Sequence, residues 1–199
     1  VGINSGTIED AFATGSVTGS ININVGGLVG RNHGSISNSF ATGDVESSGS
    51  GVGGLVGQNN DGPITDSYAT GTVSGDKDVG GLIGIATGTS SISNVYATGD
   101  VTAARDKAGG LLGSLAKTST LENAFASGDV SGSTRVGGLI GSARSTSVIT
   151  NAYAVGNATA TTGHVGALIG ETKQQASVTN TYATGLVTAG TGDDGGLIG

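Results

Sequence analysis

The sequence predicts an all-β fold, a parallel β-solenoid of seven coils, and three observations carry that expectation. All three Phe and four Tyr fall in one recurring phrase, as in SYATGTV at 67–73, at spacings of 28 or 29 residues. A second phrase, GGLVG at 26–30 and 53–57 with variants starting at 80, 109, 137, 166 and 195, recurs with it in fixed order. β-branched and aromatic residues come in runs bounded by Gly, Asn, Asp and Ser, and no window combines a helical period with helix formers. Self-similarity at such a period marks units that stack in one dimension rather than a single folding nucleus.

Taken in order, each unit runs from the Gly-Leu phrase through a short polar stretch to an apolar residue four before the aromatic: Ile8, Ile36, Ile64, Ile92, Leu121, Ile149 and Val178. Two before the aromatic stands Asp10, Asn38, Asp66, Asn94, Asn123, Asn151 or Asn180, side chains that bond nearby backbone and tolerate tight turns, so a stacked Asx ladder is expected. The aromatic column itself is Phe12, Phe40, Tyr68, Tyr96, Phe125, Tyr153 and Tyr182. Ala follows it in all seven copies, then Thr in five (Thr14, Thr42, Thr70, Thr98, Thr184), then Gly, with Val or Ala two further on. Three short strands and three turns per coil result. At roughly 3.3 Å per residue such a unit closes into a coil, and coils stacked about 4.8 Å apart let each strand pair with its copies above and below, giving a height of roughly 33 Å. A right-handed winding is expected, as for other crossovers between parallel strands. The array is one domain over 1–199, in units 3–30, 31–57, 58–84, 85–113, 114–141, 142–170 and 171–199.

Strand parity leaves two arrangements open. The Ile column and the aromatic column are four residues apart and would share a face, yet the invariant Ala and the Val beyond it have the opposite parity. A turn at the Asx position puts the small residue before the aromatic, the Ala and the Val inside, and leaves the aromatic and Thr columns outside. A turn at the Gly buries the rings instead. The first is preferred, because the second buries the Asx and Thr columns too and gives no reason for strict Ala on a surface. The columns of Leu28, Leu55, Leu82, Leu111, Leu139, Leu168 and Leu197 and of Ile8 to Val178 are expected in the core of every inner coil.

Composition narrows the function classes. Gly is 40 of 199 residues with a single Pro, and periodic Val, Ile and Leu argue against a disordered low-complexity chain. A net charge of -7, with eight scattered Lys and Arg, disfavours nucleic acid and anionic membrane as partners. Without Cys there is no disulfide framework and no thiol nucleophile. No stretch reaches the length of an apolar spanning helix, and VGINSGTIED has neither the basic start nor the apolar run of a signal peptide.

The combination GGLVGxNxG, then an apolar residue before NSYATGxVxG, then VGGLVG, seen at 26–57 and 53–84, resembles the GLUG-motif repeat over the whole chain. Departures are small: Ala167 in place of the second Gly, and Val155 and Ala158 in the weakest aromatic phrase. The resemblance implies a repeat of secreted and surface-anchored microbial proteins, adhesin-like chains among them, at an extracellular or cell-surface location, with no catalytic residues to carry over.

Candidate chemistry is sparse. The glycine phrases lack the following helix and the Lys with Ser or Thr of a phosphate loop, so they read as close-packing positions. Asp44, Asp100 and Asp129, NNDG at 59–62 and DKD at 76–78 suggest at most a weak calcium site, since the Gly-Gly-x-Gly-x-Asp calcium pattern is absent; they read as solvated turn acids, and no cofactor is expected. His33 and His164 lie five coils apart and read as loop residues, and NAT at 157–159 is a weak glycosylation match. Acids and bases fall singly in variable loops, against the clustered carboxylates of a glycan-cleaving solenoid, so the chain is read as no enzyme. Two functions remain: a stiff structural or adhesive stalk, or a ligand-binding solenoid whose Phe/Tyr and Thr columns contact carbohydrate or, less suitably with one Thr per coil, ice. The expected partners are further copies or repeats stacked end to end, with surface glycans or neighbouring proteins beside them. Val1-Gly2 and the stop at Gly199 fall at the same phase of the repeat, with no polar cap at either place, so the expectation is a segment of a longer chain or a self-stacking unit that aggregates, frays or polymerises alone.

Overall fold

A computed structural model of the chain describes residues 1–21 and 23–199. The coil of residues 56–80 shows the plan: Val56–Asn60, Ile64–Ala69 and Val73–Gly80 are its three strands, and the next coil starts at Ile83–Thr87. Each strand pairs in parallel with its copy one coil on, Val56 with Ile83, Ile64 with Ile92, Val73 with Val101. Repetition builds three sheets, of seven, nine and eleven strands among the described residues. We call them the leading, aromatic and curled sheets, in the order the chain visits them. The all-β, parallel, seven-coil solenoid with three sheets is thus as the repeat predicts, with one-residue differences in coil length absorbed by register shifts such as that between Gly75 and Lys77.

The parity conflict is resolved at the Asx column. Ile64, Ser67, Ala69 and Val73 are buried, Tyr68 is partly covered, and Asp66 and Thr70 are exposed. The switch is one residue wide: Asp10, Asn38, Asp66, Asn94, Asn123, Asn151 and Asn180 all have φ between 47° and 55°. A single left-handed residue shifts the alternation by one, the effect of a bulge, and Asn and Asp are the side chains that tolerate it. The rings therefore face outward.

Two cores lie inside, not one. The Leu, Ile and Ala columns, including Leu55, Ile64, Ala69, Leu82 and Ile83, pack between the leading and aromatic sheets. Within the curled sheet, Val73 and Val79 close on each other's copies with Val45, Val52 and Ala108 to make a second. Leu55, Leu82, Leu111, Leu139 and Leu168 are fully buried and Leu28 nearly so, whereas Leu197 in the last coil is 38% exposed.

Between the cores the glycines of the phrase make a close-packed corner, where only Ala167 of the sixth phrase adds a methyl. A Cβ on Gly53 would lie 2.1 Å from the Val56 carbonyl oxygen, one on Gly54 2.2 Å from the Gly81 oxygen, and one on Gly57 2.4 Å from the Asn24 carbonyl carbon. The end of the curled sheet passes back to back against the start of the next leading strand, backbone on backbone.

Candidate functional site

The outer surface of the aromatic sheet carries the most regular array of side chains. Because the Asx residue turns the chain once per coil in register, the seven rings from Phe12 to Tyr182 stack in one column, with centroids 4.7 to 5.4 Å apart and planes within 2° to 11° of parallel. Burial in the stack, and then the neighbouring Tyr68, push the Tyr96 phenol up. Stacking has a functional consequence: an inner ring has both faces covered by its neighbours, and sugar stacking needs an open face. What the column offers is ring edges and phenol hydroxyls.

Beside the rings, the Asx side chains form a directional amide ladder. Asn94 donates from Nδ2 to Asp66 Oδ1 at 3.0 Å, Asn123 to Asn94 and Asn151 to Asn123 at 3.2 Å each, and Asn180 to Asn151. Among the described residues no rung joins Asn38 to Asp66, as expected of an Asp that has no N–H to give. On the other side of the rings Thr14, Thr42, Thr70, Thr98 and Thr184 are exposed.

At the corner that follows, Asp44, Asp100 and Asp129 each accept the next coil's backbone N–H through Oδ1, from Thr72, Asp129 and Asn157, all at 2.8 Å. Asn157 continues the column by accepting from the Leu186 N–H. The Thr72 backbone N–H, then its hydroxyl, hold the Asp44 carboxyl below the usual range. Among the described residues no group of three His, Cys, Asp or Glu side chains is placed to hold a metal ion. His33 is exposed, and His164 stands 3.5 Å from Asp193.

The charged residues do not fall singly, which corrects the sequence reading. Stacking brings variable positions of successive coils together: Asp78 pairs with Lys107 at 2.8 Å with both side chains over 90% buried. Arg105 pairs with Asp76, and Arg135 binds Asp106 at 2.7 Å and Glu171 at 3.4 Å, with Lys173 on Glu171 at 2.8 Å. The sequence conceals the pairs between coils because those partners sit 29 to 36 residues apart in stretches that differ from unit to unit.

A second amide ladder, inside the core, is also new. Asn4 donates to Asn32 at 2.7 Å, Asn32 to Asn59 at 2.6 Å, and Asn59 to the Ser90 hydroxyl at 3.0 Å. Asn32 and Asn59 are wholly buried, and their amides also bond the turn carbonyls of Gly34 and Gly62. Its signal was present: Asn stands two after the last glycine in GINSG, GRNHG and GQNNDG. From the fourth coil Ala86, Leu115 and Ala143 take the place and the ladder ends.

Compared with known families, the chain matches the model of the GLUG motif three times, over residues 21–46, 48–74 and 75–102. No curated protein and no solved structure matches the chain.

Proposed function

Starting from three GLUG motifs set in a continuous solenoid, we propose that the chain is a non-catalytic, stiff segment of an extracellular or cell-surface protein, a stalk that carries or contributes adhesive surface. The observation that supports it is the unbroken register of the ring column across all seven coils, beside two rows of inter-coil hydrogen bonds. The ring contacts recur at the same place in each coil and the hydrogen-bond rungs in most, which resists bending along the axis and suits a spacer better than a hinged or catalytic domain. Further coils of the same repeat, from this chain or a copy, are the partner that a coil edge fits, because its N–H and C=O groups are arranged for parallel pairing.

The second reading, a carbohydrate or ice ligand on the Phe/Tyr and Thr columns, draws support from the exposed Thr row and is weakened by the covered ring faces. Electron microscopy and small-angle scattering test the stalk: the expected particle is a rod lengthening in proportion to coil number, and a flexible or globular particle overturns it. A glycan array tests the second reading, for which specific binding abolished by Tyr96→Ala is required.

A further inference from the structure

The net charge of this chain is not spread around it. On the aromatic sheet stand Glu9, Asp10, Asp66 and Glu122, and at its corner Asp44, Asp100 and Asp129, all exposed. No Lys or Arg lies in the strands of that sheet. These seven carboxylates equal the whole formal charge of -7; the remaining eight acids are matched by the eight Lys and Arg, all on the other sheets and turns. The charge is thus two-sided: the other sheets and turns are formally neutral and partly ion-paired, while the strands of the aromatic sheet carry carboxylates and no Lys or Arg.

We propose that the aromatic sheet and its corner bind a polycationic polypeptide, a Lys- or Arg-rich segment lying along the solenoid axis. Carboxylates only accept hydrogen bonds, so the occupant must donate, and ammonium and guanidinium groups donate with charge. Its charge must also be spread out. The carboxylates are spread over five successive coils and among the described residues nowhere converge as three metal-type ligands, so they match a chain of cations rather than one ion. A second copy presenting the same face brings seven charges against seven of the same sign, and nucleic acid is repelled. Asp44, Asp100 and Asp129 use only Oδ1 in holding the next coil, which leaves Oδ2 for the partner. The inference deepens the adhesive part of the stalk reading by giving its partner a chemistry.

The test titrates the full chain with an oligolysine long enough to span the coils, at about 50 mM and about 150 mM salt. In one variant Asp44→Asn, Asp100→Asn and Asp129→Asn are combined; Asn keeps the Oδ1 acceptor, as Asn157 does in the same column. A control, Asp61→Asn with Asp193→Asn and Asp194→Asn, removes equal charge elsewhere. Expected are salt-sensitive binding to the native chain, a loss of about tenfold or more in the first variant, and little change in the control. Equal losses in both, or no binding by the native chain at the lower salt, overturn the proposal. Rod shape by scattering is read on the same samples: a rod that ignores oligolysine leaves the stalk standing and removes only the partner.

Discussion

The β-carbon of Ala69 stands 2.8 Å from the point where a side chain on Gly54 would begin. The same contact recurs as Gly81 with Ala97, Gly110 with Ala126 and Gly138 with Ala154, at 2.9 to 3.0 Å. This is why the two repeated phrases travel together: the second glycine of one is the floor on which the alanine of the other rests. Gly54→Ala also meets the Gly81 carbonyl oxygen at 2.2 Å, so a neighbouring coil must shift to admit it; only beside the last coil does the same slot hold a methyl, that of Ala167. The expected loss is about 3 kcal/mol, read as a lower urea midpoint. Gly6→Ala, with open space around it, is the control and is expected within about 0.5 kcal/mol of the native chain.

The leucine column gives a graded test along the axis. Leu111 is wholly buried and Leu197 is 38% exposed, though both occupy the same slot of the repeat. Leu111→Ala is expected to cost about 3 kcal/mol through lost burial and the cavity left, and Leu197→Ala under about 1 kcal/mol. Equal costs would mean that the last coil is covered in solution.

How much of this was legible is set by what repeats. The columns of Ile64, Tyr68, Ala69 and Leu82 recur in every unit, so the columns and the parallel stacking follow from the repeat; parity alone leaves the rings two arrangements, and the strict Ala favours the outward one. Lys107 and Asp78 do not recur, and only stacking reveals them as a buried pair. The separate Val core was hidden for another reason. Val73 and Val79 belong to one strand, and alternation cannot say that the strand curls until its ends share a cluster. The Asn4, Asn32 and Asn59 ladder repeats only three times before apolar residues replace it, too short a run to stand out beside the seven-fold phrases.

Asn123 combines two jobs that substitution separates. It holds φ at 51° and stands in the amide ladder between Asn94 and Asn151. Asn123→Gly keeps the left-handed backbone and loses the rungs, for about 1 kcal/mol; Asn123→Ala loses both, for about 2 kcal/mol. Thermal melts of the two variants measure the difference, and identical melts would show that the conformation costs nothing there. At the break in the ladder, Asp66→Asn supplies the missing donor toward Asn38 and is expected to stabilise by up to about 1 kcal/mol.

Acid is expected to loosen the later coils through Arg135. Burial alone would raise Asp106, but bonds from Arg135 and Thr134 outweigh it and hold its carboxyl below the usual range. Burial likewise opposes ionisation of Glu171, and Lys173 and Arg135 together outweigh it. Both carboxylates are thus more acidic folded than unfolded, so their contribution is complete above the unfolded values of about 3.9 for Asp and 4.3 for Glu, and it is lost as pH falls through the folded values. Urea midpoints are therefore expected to be level near neutrality and to fall below about pH 4. Arg135→Met removes the shared cation from two side chains only 13% and 11% exposed, and leaves Asp106 with the Thr134 hydroxyl and the field of Lys107, and Glu171 with Lys173. At pH 7 that variant is expected to lose about 2 kcal/mol, a loss that shrinks toward pH 3 as the carboxyls protonate in both proteins. A loss from Arg135→Met that is the same at both pH values would show that the side chain matters for its packing and not for its charge.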